Sequence, residues 1–260
     1  MKHGLHQLAS LFGLAFAGLG ALMASGAALA LDCNATVTES VTLTEDIVCR
    51  KVGDVGITVP LGASNLTIDL NGHTISGFKK ENSTGILVDG AIGVTIVNGT
   101  VEFFERGIRI VNSDAIAVTD VVSRGNRKDG IFVQSSTNIE LIGNELLDNL
   151  NGIVTRDGNN LDIVSNEGKG NSEVGFDVSG TLGGTLVSLT NNESAGDAKR
   201  AAFRTGGSVQ AKFSANQAKG FKGFGFQFTD APIVLDNGGN RAKGKPSKAC
   251  FPDPCPLGLK

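Results

Sequence analysis

Tryptophan and tyrosine are absent from this 260-residue chain, so phenylalanine supplies all of its aromatic residues, which make up 5% of the sequence. Proteins that bind single-stranded nucleic acid stack the bases on aromatic rings. Tryptophan and tyrosine are also the rings on which sugars usually pack. The composition therefore argues against a nucleic-acid partner and weakens glycan binding by ring stacking.

Histidine is scarce as well, and His73 is the only one that follows the first 30 residues. A Ser-His-Asp or Cys-His nucleophile system needs a histidine as its base. His73 lies in the segment DLNGHTISG, which is typical of a turn between short strands, and we interpret it as a residue that hydrogen-bonds within that turn. The sequence therefore offers no nucleophile system of this kind.

Cysteine occurs only near the two ends of the chain, at Cys33, Cys49, Cys250 and Cys255. No histidine lies beside either pair and no C-x-x-C is present, which argues against zinc. An even count in an exported protein suggests disulfides. We predict the pairs Cys33–Cys49 and Cys250–Cys255, because other pairings would tie together the two ends of a long repeat array.

Export is predicted from residues 1–30. Lys2 precedes an apolar run over residues 11–24, and Ala28-Leu29-Ala30 matches the small-residue cleavage pattern. The run contains several glycines and is short for a membrane span, although a retained anchor is the alternative reading. The sequence thus predicts a cleaved signal peptide, a mature chain from Leu31 without a transmembrane segment, and a secreted or periplasmic location.

No stretch of ten residues has the apolar spacing of an amphipathic helix, so an α/β fold is excluded. Residues 85–243 instead consist of seven similar segments, which we call rows. Successive rows start 22, 23, 22, 23, 27 and 23 residues apart. A fixed period of this size is typical of a solenoid. The rows begin at Gly85, Gly107, Gly130, Gly152, Gly175, Ala202 and Gly225.

Each row alternates apolar and mixed residues twice and then reaches Asn or Asp. This pattern predicts strands that pair with their copies about 4.8 Å away, so that like residues stack. The predicted fold is all-β: a right-handed parallel β-helix, a single-stranded solenoid of about eight coils of 22–23 residues. A third strand per coil shows only weakly. The predicted turn stack is Asn98, Asp120, Asn144, Asn166, Asn192, Asn216 and Asn237.

The segments TLTEDIVC and NLTIDLNGHTISG, followed by rows of G-I-x-V and x-I-x-x-N, resemble bacterial parallel β-helix repeat proteins of the pectin-lyase-like superfamily. The resemblance covers nearly all of residues 33–240. It implies the fold but not one activity, since that superfamily contains polysaccharide lyases, hydrolases, epimerases and proteins without an assigned activity. The paired-Asp and Asp-Pro-His-Asp signatures of the hydrolases and epimerases are absent.

The predicted organisation is a signal peptide over 1–30, an N-terminal cap with a disulfide over 31–55, β-helix repeats over 56–245, and a C-terminal cap or tail with a disulfide over 246–260.

Charge is divided unevenly along the mature chain. Residues 31–198 contain 11 basic and 23 acidic residues, a net −12, whereas residues 199–260 contain 11 basic and 3 acidic residues, a net +8. The basic end suits an anionic glycan, lipid headgroups or an acidic protein face. The alternative is a solvated tail that prevents solenoids from stacking end to end.

Two sets of carboxylates are candidate sites. Glu145, Glu167 and Glu193 each follow the turn Asn of their row and should stack, which suits calcium unless the side chains simply fan into water. Glu140 and Asp162 should lie outward on adjacent strands. Two carboxylates at that spacing suit an acid and a nucleophile acting on a glycoside, if a cleft is present.

A third candidate set is basic and comprises Arg109, Lys128 and Arg156. In the lyases that the chain resembles, calcium neutralises a uronate carboxylate while a basic residue removes the C5 proton, and these three residues are read as candidates for that role. Arg106 and Asp129 precede successive row starts, so they are expected to form an ion pair between coils.

The sequence as a whole predicts an exported, non-catalytic scaffold or binding protein, a monomer that recognises an anionic polysaccharide or a cell-envelope component and requires no cofactor. The alternative is a calcium-assisted lyase or epimerase acting on an acidic polysaccharide. A third reading is a stiff spacer without a ligand.

Overall fold

The computed structural model describes residues 27–196, 198–230, 232–244, 249–252 and 255–259. These residues form 25 β-strands and no helix, wound as a solenoid of about nine turns, and all paired strands are parallel. The predicted right-handed parallel β-helix is therefore confirmed. No helix in the described residues is long and apolar enough to cross a membrane.

Each coil contributes a strand to each of three sheets, and several long strands bend from one sheet into the next. Sheet 1 contains β2 (Ala35–Thr36), β5 (Val55–Val59), β8 (Thr84–Asp89), β10 (Arg106–Val111), β12 (Asp129–Gln134), β15 (Asn151–Arg156), β22 (Phe224–Thr229), β25 (Cys250–Phe251) and the first parts of β18 (Val174–Thr190) and β20 (Ala201–Ser214).

Sheet 2 contains β1 (Ala27–Leu29), β3 (Val41–Leu43), β6 (Ser64–Asp69), β13 (Thr137–Ile142), β16 (Asn159–Val164), β23 (Ile233–Asp236), the first parts of β9 (Ile92–Glu102) and β11 (Asp114–Arg124), and the last parts of β18 and β20. Sheet 3 contains β4 (Ile47–Val48), β7 (Thr74–Ser76), β14 (Glu145–Leu147), β17 (Glu167–Lys169), β19 (Glu193–Ala195), β21 (Gln217–Lys219), β24 (Arg241–Lys243) and the ends of β9 and β11.

Sheet 3 is the strand set that the sequence showed only weakly. Its strands mostly have three residues, with one of them buried on the inside. In three of the coils that inward residue is small: Ser123, Gly168 or Ser194. At Gly168 the space is limited by a large side chain of sheet 1, because a Cβ there would lie 3.5 Å from the ring of Phe176. Small inward residues hide the apolar alternation that reveals a strand.

The core is a set of columns of like side chains. Ile86, Ile108, Ile131 and Ile153 occupy one register column of sheet 1 and are fully buried. Phenylalanine continues the same column, with parallel rings 4.9 Å apart between Phe176 and Phe203 and 5.0 Å apart between Phe203 and Phe226. Burying one such side chain contributes about 1.5–3 kcal/mol, so each coil is stabilised chiefly by its neighbours.

An asparagine ladder stacks at the turn between sheets 2 and 3. Each buried amide accepts hydrogen bonds from the backbone N–H and the Nδ2 of the previous ladder residue, at 2.9–3.1 Å. The predicted stack is wrong at three positions. Asn98 and Asp120 lie one residue earlier, exposed and at positive φ, and Asn237 is also exposed. The ladder comprises Asn144, Asn166, Asn192, Asn216 and Asn240.

Both predicted disulfides are present at the ends of the solenoid, Cys33–Cys49 and Cys250–Cys255. Leu257, in the tail, is 3% exposed and packs on the core. The predicted signal peptide covers residues 1–30, and its first 26 residues lie outside the described residues. Its last residues include β1, which pairs with β3. The predicted division into leader, caps and repeats stays a prediction, although residues 31–55 already contribute a strand to each sheet.

Candidate functional site

The outward side of sheet 1 carries a central column of mixed polar and apolar side chains that are buried or half-buried. Its register partners run from Leu87 to Gln227 along the solenoid and alternate with the inward core residues. We call this outward side the sheet 1 face. Although it points away from the core, Val154 is 3% and Asp177 is 4% exposed. The central column comprises Leu87, Arg109, Phe132, Val154, Asp177, Arg204 and Gln227.

Two arginines converge on the buried carboxylate of Asp177. Arg156 Nη2 lies 2.8 Å from Oδ2, and Arg204 Nη1 lies 3.1 Å and 3.2 Å from the two carboxylate oxygens. Arg156 Nη1 also donates to Ser179 Oγ at 2.5 Å. These four residues, the Asp177 site, bear one excess positive charge, and hydrogen bonds between charged groups are among the stronger ones in proteins.

A cavity of about 330 Å³ opens beside the Asp177 site. Glycine backbone forms part of its wall, because Gly207 has φ +75° and a Cβ there would lie 2.1 Å from the carbonyl oxygen of Gly180. Only glycine permits this close approach. The lining residues are Arg156, Asp157, Ser179, Gly180, Arg204, Gly206, Gly207 and Asp230.

Unused hydrogen-bonding atoms lie next to the Asp177 site. Gln227 Oε1 and Thr229 Oγ1 are buried without a hydrogen-bond partner among the described residues. Gln227 is the register neighbour of Arg204, and Thr229 is that of Gly206. Buried polar atoms are nearly always satisfied, and both of these atoms are closed off from solvent, so they are an exception to that rule and not a surface that a ligand contacts.

The predicted basic residues are not brought together. Arg109 lies two coils from Arg156 and in a different outward column, and its Nε is buried without a partner in the described part of the chain. Lys128 lies at the corner before sheet 1, where its Nζ contacts Glu105 Oε1 at 2.8 Å. The three residues do not form one centre.

The expected ion pair between coils is present at that corner. Arg106 Nε lies 2.9 Å from Asp129 Oδ2, and Arg106 also approaches Glu105 at 3.6 Å. Burial alone would raise the pKa of Glu105. Hydrogen bonds from Lys128 and from the backbone N–H of Asn82, with the nearby positive charges, outweigh burial and lower that pKa below its usual range. The cluster is a mutually neutralised structural network.

The glutamate ladder stacks as predicted, with Glu145, Glu167 and Glu193 in register on adjacent strands of sheet 3. Lysines accompany it: Lys169 Nζ contacts Glu167 and Lys219 Nζ contacts Glu193, each at 2.5 Å. The hydrogen bond that Lys169 donates to Glu167, followed by the negative charge of Glu167, raises the pKa of Lys169. Calcium at this ladder stays a prediction, and it would have to displace these ammonium groups.

Glu140 and Asp162 are register partners, also as predicted. Both are exposed on sheet 2, away from the sheet 1 face. Asp162 lines a cavity of about 210 Å³ that also contacts Lys212, whereas Glu140 lies outside it. The pair therefore does not flank a shared cleft that could hold a glycosidic bond between the two carboxylates.

The largest of these cavities, about 650 Å³, lies between sheets 1 and 2 toward the N-terminal end. Leu61 and Ile92 supply apolar surface, and Asp89 and Asp114 supply negative charge, with no Lys or Arg in the lining. Hydrogen bonds from Thr137 and then Asn138 lower the pKa of Asp114 and keep it charged. This cavity does not suit an anionic ligand.

His73 has the structural role predicted for it. Its Nδ1 lies 3.3 Å from Asp46 Oδ1, and the same oxygen accepts the backbone N–H of Thr74 at 2.8 Å. These contacts tie the turn of one coil to the coil before it.

Solved structures similar to this chain are all distant. ORF18 of Geobacillus virus E2 has a TM-score of 0.41 at 8% identity over 82% of this chain and 48% of that chain. The Dettilon tailspike protein gp208 has a TM-score of 0.40 at 11% identity over 83% and 62%, and the Agl-KA catalytic domain has 0.33 at 10% identity over 78% and 62%. This chain thus spans about half to three fifths of each, and no conclusion on function follows. No curated protein matches the chain.

A protein-family model described as "Periplasmic copper-binding protein (NosD)" matches residues 43–220. Copper is held by imidazole, thiolate and thioether groups. The described residues include one histidine and no methionine, and their four cysteines are in disulfides. The single Cys/His/Asp/Glu cluster found in the described ranges is Cys33, Cys49 and Asp54, whose sulfurs are bonded to each other. This donor set does not fit copper.

The periplasmic description of the family agrees with the predicted export. Because the match covers more than half of the chain, and because the matched residues form a parallel solenoid of stacked coils, this protein belongs to the NosD family of periplasmic β-helix proteins.

Proposed function

We propose that this protein is an exported, non-catalytic binding protein whose sheet 1 face recognises an acidic glycan at the Asp177 site. The observation that carries the proposal is the convergence of Arg156 and Arg204 on one buried carboxylate beside an open cavity. The arginine guanidinium has five N–H donors, and Arg204 uses only Nη1 toward Asp177. Its other donors suit a sugar carboxylate, which arginine binds in bidentate fashion.

The groups around the cavity complement a sugar's hydroxyls. Ser179 and the backbone of Gly180, Gly206 and Gly207 line the cavity with oxygen acceptors, and Asp157 and Asp230 place carboxylates at the rim. Acceptors of this kind take hydroxyl protons, while the rim carboxylates disfavour a densely charged polyanion. The site therefore suits an oligosaccharide that presents one uronate carboxylate to Arg204 and free hydroxyls to the acceptors around the cavity.

The described carboxyl groups with a displaced pKa do not resemble the general acid of a glycoside hydrolase, which needs a raised carboxyl pKa. These groups are Asp54, Glu105, Asp114 and Asp236, and hydrogen bonds lower the pKa of each. The lyase alternative needs an available base. Lys128 and Arg156 are both held in ion pairs, whereas the Nε of Arg109 has no hydrogen-bond partner among the described residues, so Arg109 is the candidate that the absorbance measurement tests.

The test is calorimetric titration of the mature protein with polygalacturonate and alginate oligosaccharides, with neutral dextran oligosaccharides as the comparison. We expect saturable binding of an acidic oligosaccharide that is at least about tenfold weaker in Arg204→Gln, in line with the loss of a buried charged contact. The matched control is Arg124→Gln, which removes an arginine paired with Glu102 on sheet 3. Equal affinity in Arg204→Gln and the wild type would overturn the assignment of the site.

A parallel measurement separates binding from turnover. β-Elimination of a uronate creates an unsaturated product that absorbs in the ultraviolet. A calcium-dependent rise in absorbance with the same oligosaccharides, lost in Arg109→Ala or Lys128→Ala, would show that the protein is a lyase. We expect no rise.

A further inference from the structure

The last three coils carry a positively charged surface on sheet 3 and on the corner that leads from sheet 3 to sheet 1. In register, Lys219 lies beside Lys243 and Gln217 beside Arg241. At the corner, Lys199 and Arg200 precede β20, and Lys222 precedes β22 one coil further along. We call this set of six side chains the C-terminal basic patch: Lys199, Arg200, Lys219, Lys222, Arg241 and Lys243.

Two carboxylates offset part of this charge. Glu193 contacts Lys219 at 2.5 Å, and Glu173 lies 3.9 Å from Lys199. Within the described ranges, Arg200, Arg241 and Lys243 are exposed and carry no ion pair. Arg241 and Lys243 lie two residues apart on β24, where their like charges repel each other, so this part of the patch favours the approach of an anion.

Exposed aromatic surface adjoins the basic patch. Phe224 opens β22 directly after the corner and is only half-buried, and Phe251 on β25 is 45% exposed. Their ring centroids lie 5.3 Å apart. These rings lie outside the stacked core column of Phe176, Phe203 and Phe226. A basic cluster flanked by exposed apolar rings combines the two features with which a protein binds a bilayer surface.

We propose that the C-terminal basic patch, with Phe224 and Phe251, docks the solenoid end-on to an anionic phospholipid surface. The cations contact headgroup phosphates and the two rings enter the interfacial layer. An acidic protein face that buries aromatic rings is the competing partner, and the vesicle measurement below distinguishes it, since such a partner predicts no binding to lipid. Phe251 is the register neighbour of Gln227, so the docking surface borders the sheet 1 face, but the inference uses none of the contacts of the Asp177 site and is tested without a glycan.

The test is co-sedimentation of the mature protein with vesicles of phosphatidylglycerol and phosphatidylcholine in equal parts, against vesicles of phosphatidylcholine alone. We expect binding to the anionic vesicles only, weakening as salt rises. Each cation near such a surface contributes about fivefold to the partition coefficient, so the double variant Arg241→Gln/Lys243→Gln should bind about 25-fold more weakly. Phe251→Ser should also reduce binding.

The matched control is Lys51→Gln/Lys80→Gln, which removes two exposed cations from the N-terminal coils and changes the net charge equally. It should bind as the wild type does. Circular dichroism and thermal unfolding establish that each variant is folded. The proposal is overturned if the wild type does not sediment with anionic vesicles, if it sediments equally with neutral ones, or if the two double variants bind alike.

Discussion

Asp177 and Arg204 lie directly beside each other on neighbouring strands of sheet 1, and Nη1 of Arg204 reaches both oxygens of the Asp177 carboxylate, at 3.1 and 3.2 Å. Because Arg156 binds the same carboxylate, Asp177 links three consecutive coils. This geometry makes Asp177 the residue on which the candidate site depends.

Replacing Asp177 with Asn should leave two partly buried arginines without their counter-charge. Breaking a buried ion pair costs several kcal/mol, but both arginines retain some solvent contact, so we expect a loss of about 2 kcal/mol in the free energy of unfolding. Urea unfolding followed by circular dichroism measures this loss. Asp162→Asn, on an exposed position of sheet 2, is the control and should change the stability by less than about 0.5 kcal/mol.

The asparagine ladder should be a second determinant of stability. Asn192 accepts from the backbone N–H and Nδ2 of Asn166 and donates to the carbonyl oxygen of Ile163 and to Asn216. Asn192→Ala leaves several buried donors and acceptors unpaired, each costing about 1–3 kcal/mol, so we expect a loss of at least about 2 kcal/mol.

Asn237 provides the comparison for this experiment. It also follows an apolar alternation in the sequence, but it is exposed and lies outside the ladder. Asn237→Ala should therefore unfold at nearly the wild-type urea concentration. Similar losses in Asn192→Ala and Asn237→Ala would contradict the assignment of the ladder.

The contrast between these two asparagines shows what the sequence can predict. The period of 22–23 residues specifies coils, and apolar alternation specifies sheets 1 and 2, because most inward positions there hold a large apolar side chain. A turn, by contrast, tolerates Asn both in the buried ladder and at the exposed positive-φ position before it. Sequence alone cannot separate two adjacent positions that accept the same residue for different reasons.

The Asp177 site was only partly visible in the sequence. Aligned rows place Asp177 and Arg204 in one outward column, and opposite charges at successive rows are a usable signal for a pair between coils. The contribution of Arg156 could not be predicted in this way, because its side chain reaches diagonally from another column. The cavity is lined in part by Ser179 and Gly180, beside the point where the register between β18 and β20 shifts, and the period does not specify where such a shift occurs.

Acid should destabilise the corner formed by Lys128, Arg106 and Glu105. The pKa of Glu105 is lower in the folded chain than its ordinary value of 4.5. A depressed carboxyl pKa stabilises the fold at pH values above the unfolded pKa, and this stabilisation is lost as pH falls through the folded pKa. The contribution of Glu105 is therefore complete near neutral pH and decreases below about pH 4.5.

Glu105→Gln tests this contribution. At neutral pH the variant lacks the ion pairs with Lys128 and Arg106 and should be less stable than the wild type. The difference between the two proteins should shrink as the pH is lowered from 6 toward 3, since protonation removes the same charge from the wild type. Urea unfolding across this range measures the difference, with the exposed Glu140→Gln as the control. A difference that stays constant with pH would show that the stabilisation is not ionic.

The family is described as copper-binding, and copper binding is therefore the property in which we expect this chain to differ from that description. Imidazole, thiolate and thioether groups are the donors that give copper a durable site. Among the described residues His73 is the remaining donor of this kind, because all four thiols are in disulfides, and His73 already contacts Asp46. We therefore expect mature protein incubated with Cu(II), and separately with Cu(I) under conditions that keep the disulfides intact, to retain no stoichiometric copper after dialysis against a weak chelator. Elemental analysis measures retained metal, and His73→Ala identifies any weak site at the turn. Stoichiometric copper that survives dialysis in both the wild type and His73→Ala would contradict this expectation. It would mean that carboxylate and amide groups of this solenoid form a copper site, and reduction of the two disulfides would then test the cysteines as ligands.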